Sequence, residues 1–270
     1  MKLGFIGCGN MARAMIGGII RGGVTRPEDI IASCRTKEGC ERATAAVPIR
    51  VTKDNREVAR EADILFLSVK PQFLDGVLEE IRGELRPDQL LVSIAAGRSI
   101  DYILKRLGDP DARLVRLMPN TPALVGAGMT AGCGSPSVTA EDMALVTSIC
   151  ETFGAFEQVP ESLFDAVTGV SGSSPAYVFM FIEAMADAAV QGGMPRAQAY
   201  KFAAQSVMGS ARMVTELGRH PGELKDMVTS PGGTTIEAVR VLEKKGMRSA
   251  VFEAVRAAAA RSEEMGKDKN

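Results

Sequence analysis

Histidine is almost absent from this sequence of 270 residues: the single one, His220, lies in the segment RHPGEL just ahead of a helical stretch. One isolated imidazole supports neither a Ser-His-Asp grouping nor a metal site, and His220 reads as a loop or cap residue. Cysteine is sparse as well. Cys8, Cys34, Cys40, Cys133 and Cys150 are odd in number, scattered and free of CxxC spacing. That pattern excludes a disulfide framework or a zinc site and favours a reducing compartment. Neither sign of charge dominates, since 32 basic and 33 acidic residues leave a formal charge of -1. No basic block is present to grip a nucleic-acid backbone. Long apolar runs are also missing. Ala176 to Val190 carries Glu183 and Asp187, which a membrane span would not tolerate. The apolar start is interrupted by Asn10 and Arg13 and lacks the cleavage site of a signal peptide. The expectation is a cytoplasmic protein with no metal, membrane or nucleic-acid partner.

What is present has two grammars. At 46% hydrophobic and 24% charged residues the chain is long enough to bury a sizeable core and divide in two. In the first half, short apolar runs alternate with helical patterns. Strands are predicted at Lys2–Gly7, Asp29–Cys34, Ile49–Thr52, Asp63–Ser68, Leu90–Ile94 and Arg113–Met118. Helices are predicted at Asn10–Arg21, Asn55–Glu61, Phe73–Gly83 and Ile100–Leu107. Runs such as DILFLSV and QLLVSIA do not alternate with polar residues, as expected of parallel strands covered on both faces. The stretch 127–160 adds a strand, a helix over Ala140–Phe153 and a last strand. Beyond it only helices are predicted, over 161–169, 175–192, 195–217, 221–228, 234–245 and 247–265. The fold class is therefore α/β: a Rossmann-like dinucleotide-binding domain, residues 1–160, followed by an all-α domain, residues 161–270. On the 175–192 helix, Glu183, Asp187 and Gln191 form one narrow polar stripe, and most of the remaining surface is apolar. Such a helix must be covered on most sides, which points to a partner subunit.

The segment Gly7-Cys8-Gly9-Asn10-Met11-Ala12 fits G-x-G-x-x-A between the first strand and the first helix. Gly7 permits the sharp turn, Gly9 lets a pyrophosphate approach the backbone, and Ala12 lets the helix pack closely on the strand. The helix start then offers unpaired N–H groups and partial positive charge to phosphates. At the end of the second strand, where an NAD enzyme usually places a carboxylate, the chain reads Ser33-Cys34-Arg35-Thr36-Lys37. Hydroxyls and cations with no acid before Glu38 favour NADP(H), with NAD(H) the lesser alternative. Two further segments, TGVSGSSPAYV (168–178) and TSPGGTTIEAV (229–239), gather small and hydroxyl residues ahead of helices. Both suit a carboxylate substrate held by backbone N–H groups and hydroxyls.

These residues resemble the pyrroline-5-carboxylate reductase family, which catalyses the last step of proline biosynthesis. The resemblance runs in order through FIGCGNMARAMIGG, SVKPQ, IAAG, MPNTPALVGAG, AVTGVSGSSPAYVFMFIEAMADAA and HPGELKDMVTSPGGTTIEAV. The chain departs from the family pattern at Ser174, where a glycine is usual, and at Thr234, where alanine is common. The resemblance implies NAD(P)H-dependent reduction of the imine of 1-pyrroline-5-carboxylate to L-proline. It implies that Gly7 to Ala12 hold the pyrophosphate and that Ser33 and Arg35 face the 2′-phosphate. Asn55, the turn Ser68-Val69-Lys70-Pro71, and Ala95 with Ala96 would line the ribose and nicotinamide side. Thr235 would hydrogen-bond the substrate nitrogen, and the N–H groups of Gly233, Thr234 and Thr235, with Ser171, would take the carboxylate. A homodimer, or a ring of dimers, is implied too. Two other readings share the glycine turn. A β-hydroxyacid dehydrogenase would need an acid–base lysine on a helix of the second domain, for which Lys201 and Lys225 are the candidates. A non-catalytic NADP-binding module would turn nothing over.

Overall fold

Apolar runs without polar alternation become the strands of one sheet. In chain order they are β1 (Leu3–Ile6), β2 (Ile30–Ser33), β3 (Arg50–Thr52), β4 (Ile64–Leu67), β5 (Leu90–Ser93), β6 (Arg113–Met118), β7 (Gly128–Gly134) and β8 (Gly154–Gln158). The connecting helices are α1 (Asn10–Arg21), α2 (Lys37–Ala46), α3 (Asn55–Glu61), α4 (Pro71–Ile81), α5 (Ile100–Leu107) and α6 (Ala140–Glu151). The structure, a computed structural model, describes residues 1–267. By packing, the chain forms two compact units: Met1–Ser173 with the chain from Ala257 onward, and Ser174–Arg256. Residue 160 thus marks the end of strand content, whereas the packing changes at 173.

In the first unit the sheet order is β3-β2-β1-β4-β5-β6-β7-β8. Strands β1 to β6 pair in parallel, β7 runs antiparallel to β6, and β8 is parallel to β7. Successive side chains enter opposite layers. Leu3, Phe5, Phe66 and Val92 pack with Met15, Ile16 and Ile19 of α1 and with Val146 and Ile149 of α6. Ile6, Leu65, Leu67 and Leu91 pack with Val58 of α3, Leu74 and Leu78 of α4, and Ile103 of α5. With both faces covered, every position of β1 and β4 is buried, which explains the missing alternation. The register sets Ile6 beside Ser33 on one side and Leu67 on the other. The carboxyl ends of β1, β2 and β4 therefore finish level, where the strand order reverses and open α/β sheets bind their ligands.

Helix starts in this unit are mostly capped by side chains. Thr36 accepts from the Gly39 N–H, Asp54 from Arg56 and Ser99 from Tyr102, while Thr139 and Asp142 form a reciprocal box at α6. Helices α1 and α4 have neither a side-chain cap nor an acid in the first turn, and of the two only α1 begins on a glycine, Gly9. Helix α2 has only Ala43 buried and shows little apolar periodicity. The helix predicted over 161–169 is instead three short pieces: a 3-10 turn (Glu161–Leu163), the single turn α7 (Phe164–Val167), and a π-helical turn (Thr168–Gly172). Thr168 Oγ1 donates to the Phe164 carbonyl (2.8 Å) and Ser171 Oγ to the Val167 carbonyl (3.0 Å). Such back-bonding from hydroxyls bends a helix locally.

The second unit holds α8 (Ser174–Gln191), α9 (Arg196–Leu217), α10 (Pro221–Met227), α11 (Thr234–Lys244) and the start of α12 (Met247–Lys267). Its buried centre is small: Ala186, Ala199 and Ala203, flanked by Ile182, Met185 and Val190. Phe179, Met180 and Phe202 are each more than 60% exposed. His220 is a cap, its Nδ1 accepting from the Gly222 N–H at 3.1 Å. No helix among the described residues is long and apolar enough to cross a membrane.

All five cysteines are free. Cys150 sits in the α6 core, where burial pushes its thiol up from 9.0 to about 12. The folded state thus holds this proton between pH 9 and 12 while the unfolded state loses it, and stability falls as pH rises through that window. Urea unfolding from pH 7 to 12 should show the decline beginning near 9, with a shallower slope in Cys150→Ala. Equal slopes in the two proteins would contradict the assignment.

Candidate active site

The chain leaves β1 through Gly7, whose φ is +93°. A Cβ there would lie 2.8 Å from the Ser68 carbonyl oxygen and in a backbone region that disfavours side chains. Ser68, just after β4, donates its hydroxyl to the Gly7 carbonyl at 2.6 Å. The Gly7 N–H donates to Ser33 Oγ (3.3 Å), Ser33 donates to Asn55 Oδ1 (2.6 Å), and Asn55 Nδ2 donates to Glu80 (2.7 Å). Ser33 is buried, so its hydroxyl supports the turn from behind. Side-chain size and polarity are visible in a sequence, but the engagement of this hydroxyl with Gly7 and Asn55 is not.

Beyond the turn, a Cβ on Gly9 would meet nothing within 4 Å. The N–H groups of Asn10, Met11 and Ala12 precede the first intrahelical bond, which runs from Arg13 to the Gly9 carbonyl (3.0 Å). The Asn10 side chain accepts from Arg13. Burial raises the Cys8 thiol, with Arg13 acting in the opposite sense, and pushes Cys34 up to about 12. Both sulfurs are neutral near pH 7, so neither repels an anion arriving at this helix start. Open space, unpaired donors and no negative charge fit a pyrophosphate.

The other expected residues of the first unit lie at the same carboxyl edge. Arg35 is exposed just past β2, and its Cζ stands 4.4 Å over the Phe73 ring. Val69, Lys70 and Pro71 form the turn that opens α4. Ala95 is buried, its N–H donating to Ser93 Oγ (3.3 Å), and Ala96 is half-buried. A groove of about 1170 Å³ lined by Leu104, Cys133, Ser135 and Val159 contains none of these residues. It faces the ends of β7 and β8, which run opposite to β6.

Ser171 sits in the π-helical turn, where Asn120 holds it. Asn120 is buried, donates Nδ2 to the Ser171 carbonyl (3.0 Å) and accepts from the Met129 N–H (2.8 Å). A π turn pinned in this way is a recurrent functional device. In the sequence Asn120 carries no distinguishing mark, because an asparagine after Met-Pro does not reveal two distant partners. In the second unit, α11 begins on Gly233 with no side-chain cap. The Gly233 N–H is taken by the Ser230 carbonyl at 3.1 Å, which leaves Thr234 and Thr235 as the donors of the expected three. Thr235 is half-buried. Lys201 is exposed on α9, and Lys225 is paired with Asp226 at 2.5 Å.

A model for pyrroline-5-carboxylate reductase dimerisation matches residues 161–265, and one for NADP oxidoreductase, coenzyme F420-dependent, matches residues 2–97. The pyrroline-5-carboxylate reductase of Escherichia coli (strain K12) is 55% identical over 266 residues, 98% of either chain. The chain belongs to the pyrroline-5-carboxylate reductase family. Among solved structures of the family, the Plasmodium falciparum enzyme with NADP bound aligns with a TM-score of 0.90 at 33% identity, over 98% of each chain. The Coxiella burnetii pyrroline-5-carboxylate reductase aligns at 0.89 and 36%, again over 98% of each chain. As a pyrroline-5-carboxylate reductase family member, the chain is an oxidoreductase.

The two glycines of the turn should behave oppositely on substitution. Gly7→Ala should cost about 1–3 kcal/mol of stability through its positive φ and its contact with Ser68. Gly9→Ala should melt like the parent yet bind nucleotide at least about tenfold more weakly, because its methyl fills the space left for phosphate. Thermal unfolding and calorimetric titration separate the two, and unchanged nucleotide affinity in Gly9→Ala would remove the phosphate assignment.

Proposed function

We propose that this chain reduces 1-pyrroline-5-carboxylate to L-proline using NADPH in preference to NADH. The observation that carries the reading is a pair of helix starts, α1 behind Gly9 and α11 behind Gly233, each opening on glycine without a side-chain cap. Four other helix starts spend a Ser, Thr or Asp on the same task. Near-full-length identity to reductases named for this substrate supports the same conclusion.

Bound NADPH supplies a hydride to the imine carbon. The N–H groups of Asn10, Met11 and Ala12 take the pyrophosphate, in the space left by Gly9. Arg35 offers its guanidinium to the 2′-phosphate, a group that a carboxylate at this position would repel. Ser33 and Asn55 brace the glycine turn, while Val69, Lys70, Pro71, Ala95 and Ala96 line the ribose and nicotinamide side. Thr235 donates or accepts at the ring nitrogen and so orients the imine. The N–H groups of Thr234 and Thr235 hold the substrate carboxylate, and Ser171 adds a donor when its hydroxyl turns from the Val167 carbonyl to the carboxylate. A cyclic iminium accepts hydride without a strong protein acid, so the work left to the chain is positioning. The near absence of histidine is consistent with that chemistry.

The second unit is proposed to pair with a second copy of the chain. Its Phe179, Met180, Phe202 and Phe252 are each at least 60% exposed, and burying them against a second copy would remove apolar surface from water. Sedimentation of the full chain at micromolar concentration should give a dimer or larger, and a monodisperse monomer would contradict the pairing.

The reaction is tested by following NADPH absorbance with and without 1-pyrroline-5-carboxylate. Thr235→Ala should lower kcat/KM by about 10–1000-fold with NADPH affinity unchanged, and Thr235→Ser should retain most of the activity. Parent turnover in an alanine variant that only melts lower would reduce Thr235 to a first-turn helix residue.

A further inference from the structure

Phe73 lies in the first turn of α4, outside the stripe of Leu74, Val77, Leu78 and Ile81 that buries this helix. It is 40% exposed, so core packing does not account for a phenyl ring at this position. One neighbour uses it. The Arg35 guanidinium carbon lies 4.4 Å from the ring centroid, which joins the loop after β2 to the start of α4. Arg35 makes no hydrogen bond or ion pair among the described residues; the stack on Phe73 is its one side-chain engagement there. The guanidinium therefore stands over the phenyl ring while its N–H donors have no partner among the described residues.

We infer that Phe73 is a specificity-determining positioning residue: it holds Arg35 so that the N–H edge, and not the face, meets the 2′-phosphate of NADPH. This rests on the assignment of Arg35 to the 2′-phosphate given above. A solvated arginine carries considerable rotamer entropy, and forming a directional fork with phosphate requires losing it. A ring under the guanidinium removes much of that freedom before the ligand arrives, and cation–π attraction holds the cation over the phenyl face. The edges, where all five N–H donors lie, stay available. NADH lacks the phosphate, so its affinity is indifferent to how Arg35 is held. Phe73 is surface-exposed and outside both core clusters, so its replacement leaves the fold intact.

The test is calorimetric titration of the full-length protein with NADPH and with NADH. The variants are Phe73→Leu, Phe73→Tyr, Arg35→Ala and the double variant Phe73→Leu/Arg35→Ala. Arg35→Ala should weaken NADPH by about 10–100-fold and spare NADH. Phe73→Leu should weaken NADPH by about 2–5-fold, spare NADH and leave the melting temperature unchanged. Phe73→Tyr, which keeps the ring, should match the parent, and in the double variant the leucine should add no further loss. Equal weakening of NADPH and NADH by Phe73→Leu would make the ring a nucleotide platform and overturn the inference. An added loss on the Arg35→Ala background, or no loss in Phe73→Leu alone, would overturn it while leaving Arg35 in place. If Arg35→Ala binds NADPH like the parent, the 2′-phosphate assignment itself fails, and the inference with it.

Discussion

The approach of the Gly7 backbone to the turn after β4 is the constraint on which the rest of the first unit depends. The Ser68 hydroxyl reaches the Gly7 carbonyl at 2.6 Å, and no side chain fits between the two segments. That contact forces the left-handed residue at the end of β1. It also turns the chain so that α1 points its first N–H groups over the carboxyl edge of the sheet. Because Ile6 stands in register with both Ser33 and Leu67, one turn is braced from both neighbouring strands. Ser33 supports it through Asn55 and Glu80, so residues far apart in sequence act as one unit behind a side-chain-free surface. The proposed binding edge is thus mostly backbone, and the side chains near it serve to hold that backbone still.

Much of this was legible in the sequence, for a physical reason. Strands covered on both faces read as unbroken apolar runs, and β1, β4 and β5 have that character at every position. Helices α1, α3 and α5 occupy the predicted residues because their buried sides repeat at helical spacing or follow a cap such as Asp54 or Ser99. Helix α2 carries no such signal, since one buried alanine imposes no pattern. The predicted helix over 161–169 broke up because hydroxyls bonding back to carbonyls compete with regular helix, an outcome that composition alone does not decide.

The site was legible in its small residues more than in its hydrogen bonds. Gly7 and Gly9 announce themselves by spacing, and their different roles, strain at one and open space at the other, appear only in three dimensions. The hydrogen bonds that Ser33 and the Gly233 N–H make within the protein are not visible in the sequence. Asn120 went unnoticed for the converse reason, because its two partners lie on segments that only the fold brings together. The helical unit follows another logic. Its buried centre is three alanines, so close helix approach replaces a large apolar core, and the large apolar side chains remain outside.

The central claim is that a backbone-lined site delivers a hydride directly to a cyclic imine with no strong acid or metal from the protein. The most direct measurement uses NADPH carrying deuterium at the transferred position, with 1-pyrroline-5-carboxylate in ordinary water, and mass and NMR analysis of the product. The account predicts L-proline with one deuterium on the δ carbon, which was the imine carbon. Proline lacking that deuterium, or NADPH bound but not consumed, would contradict it.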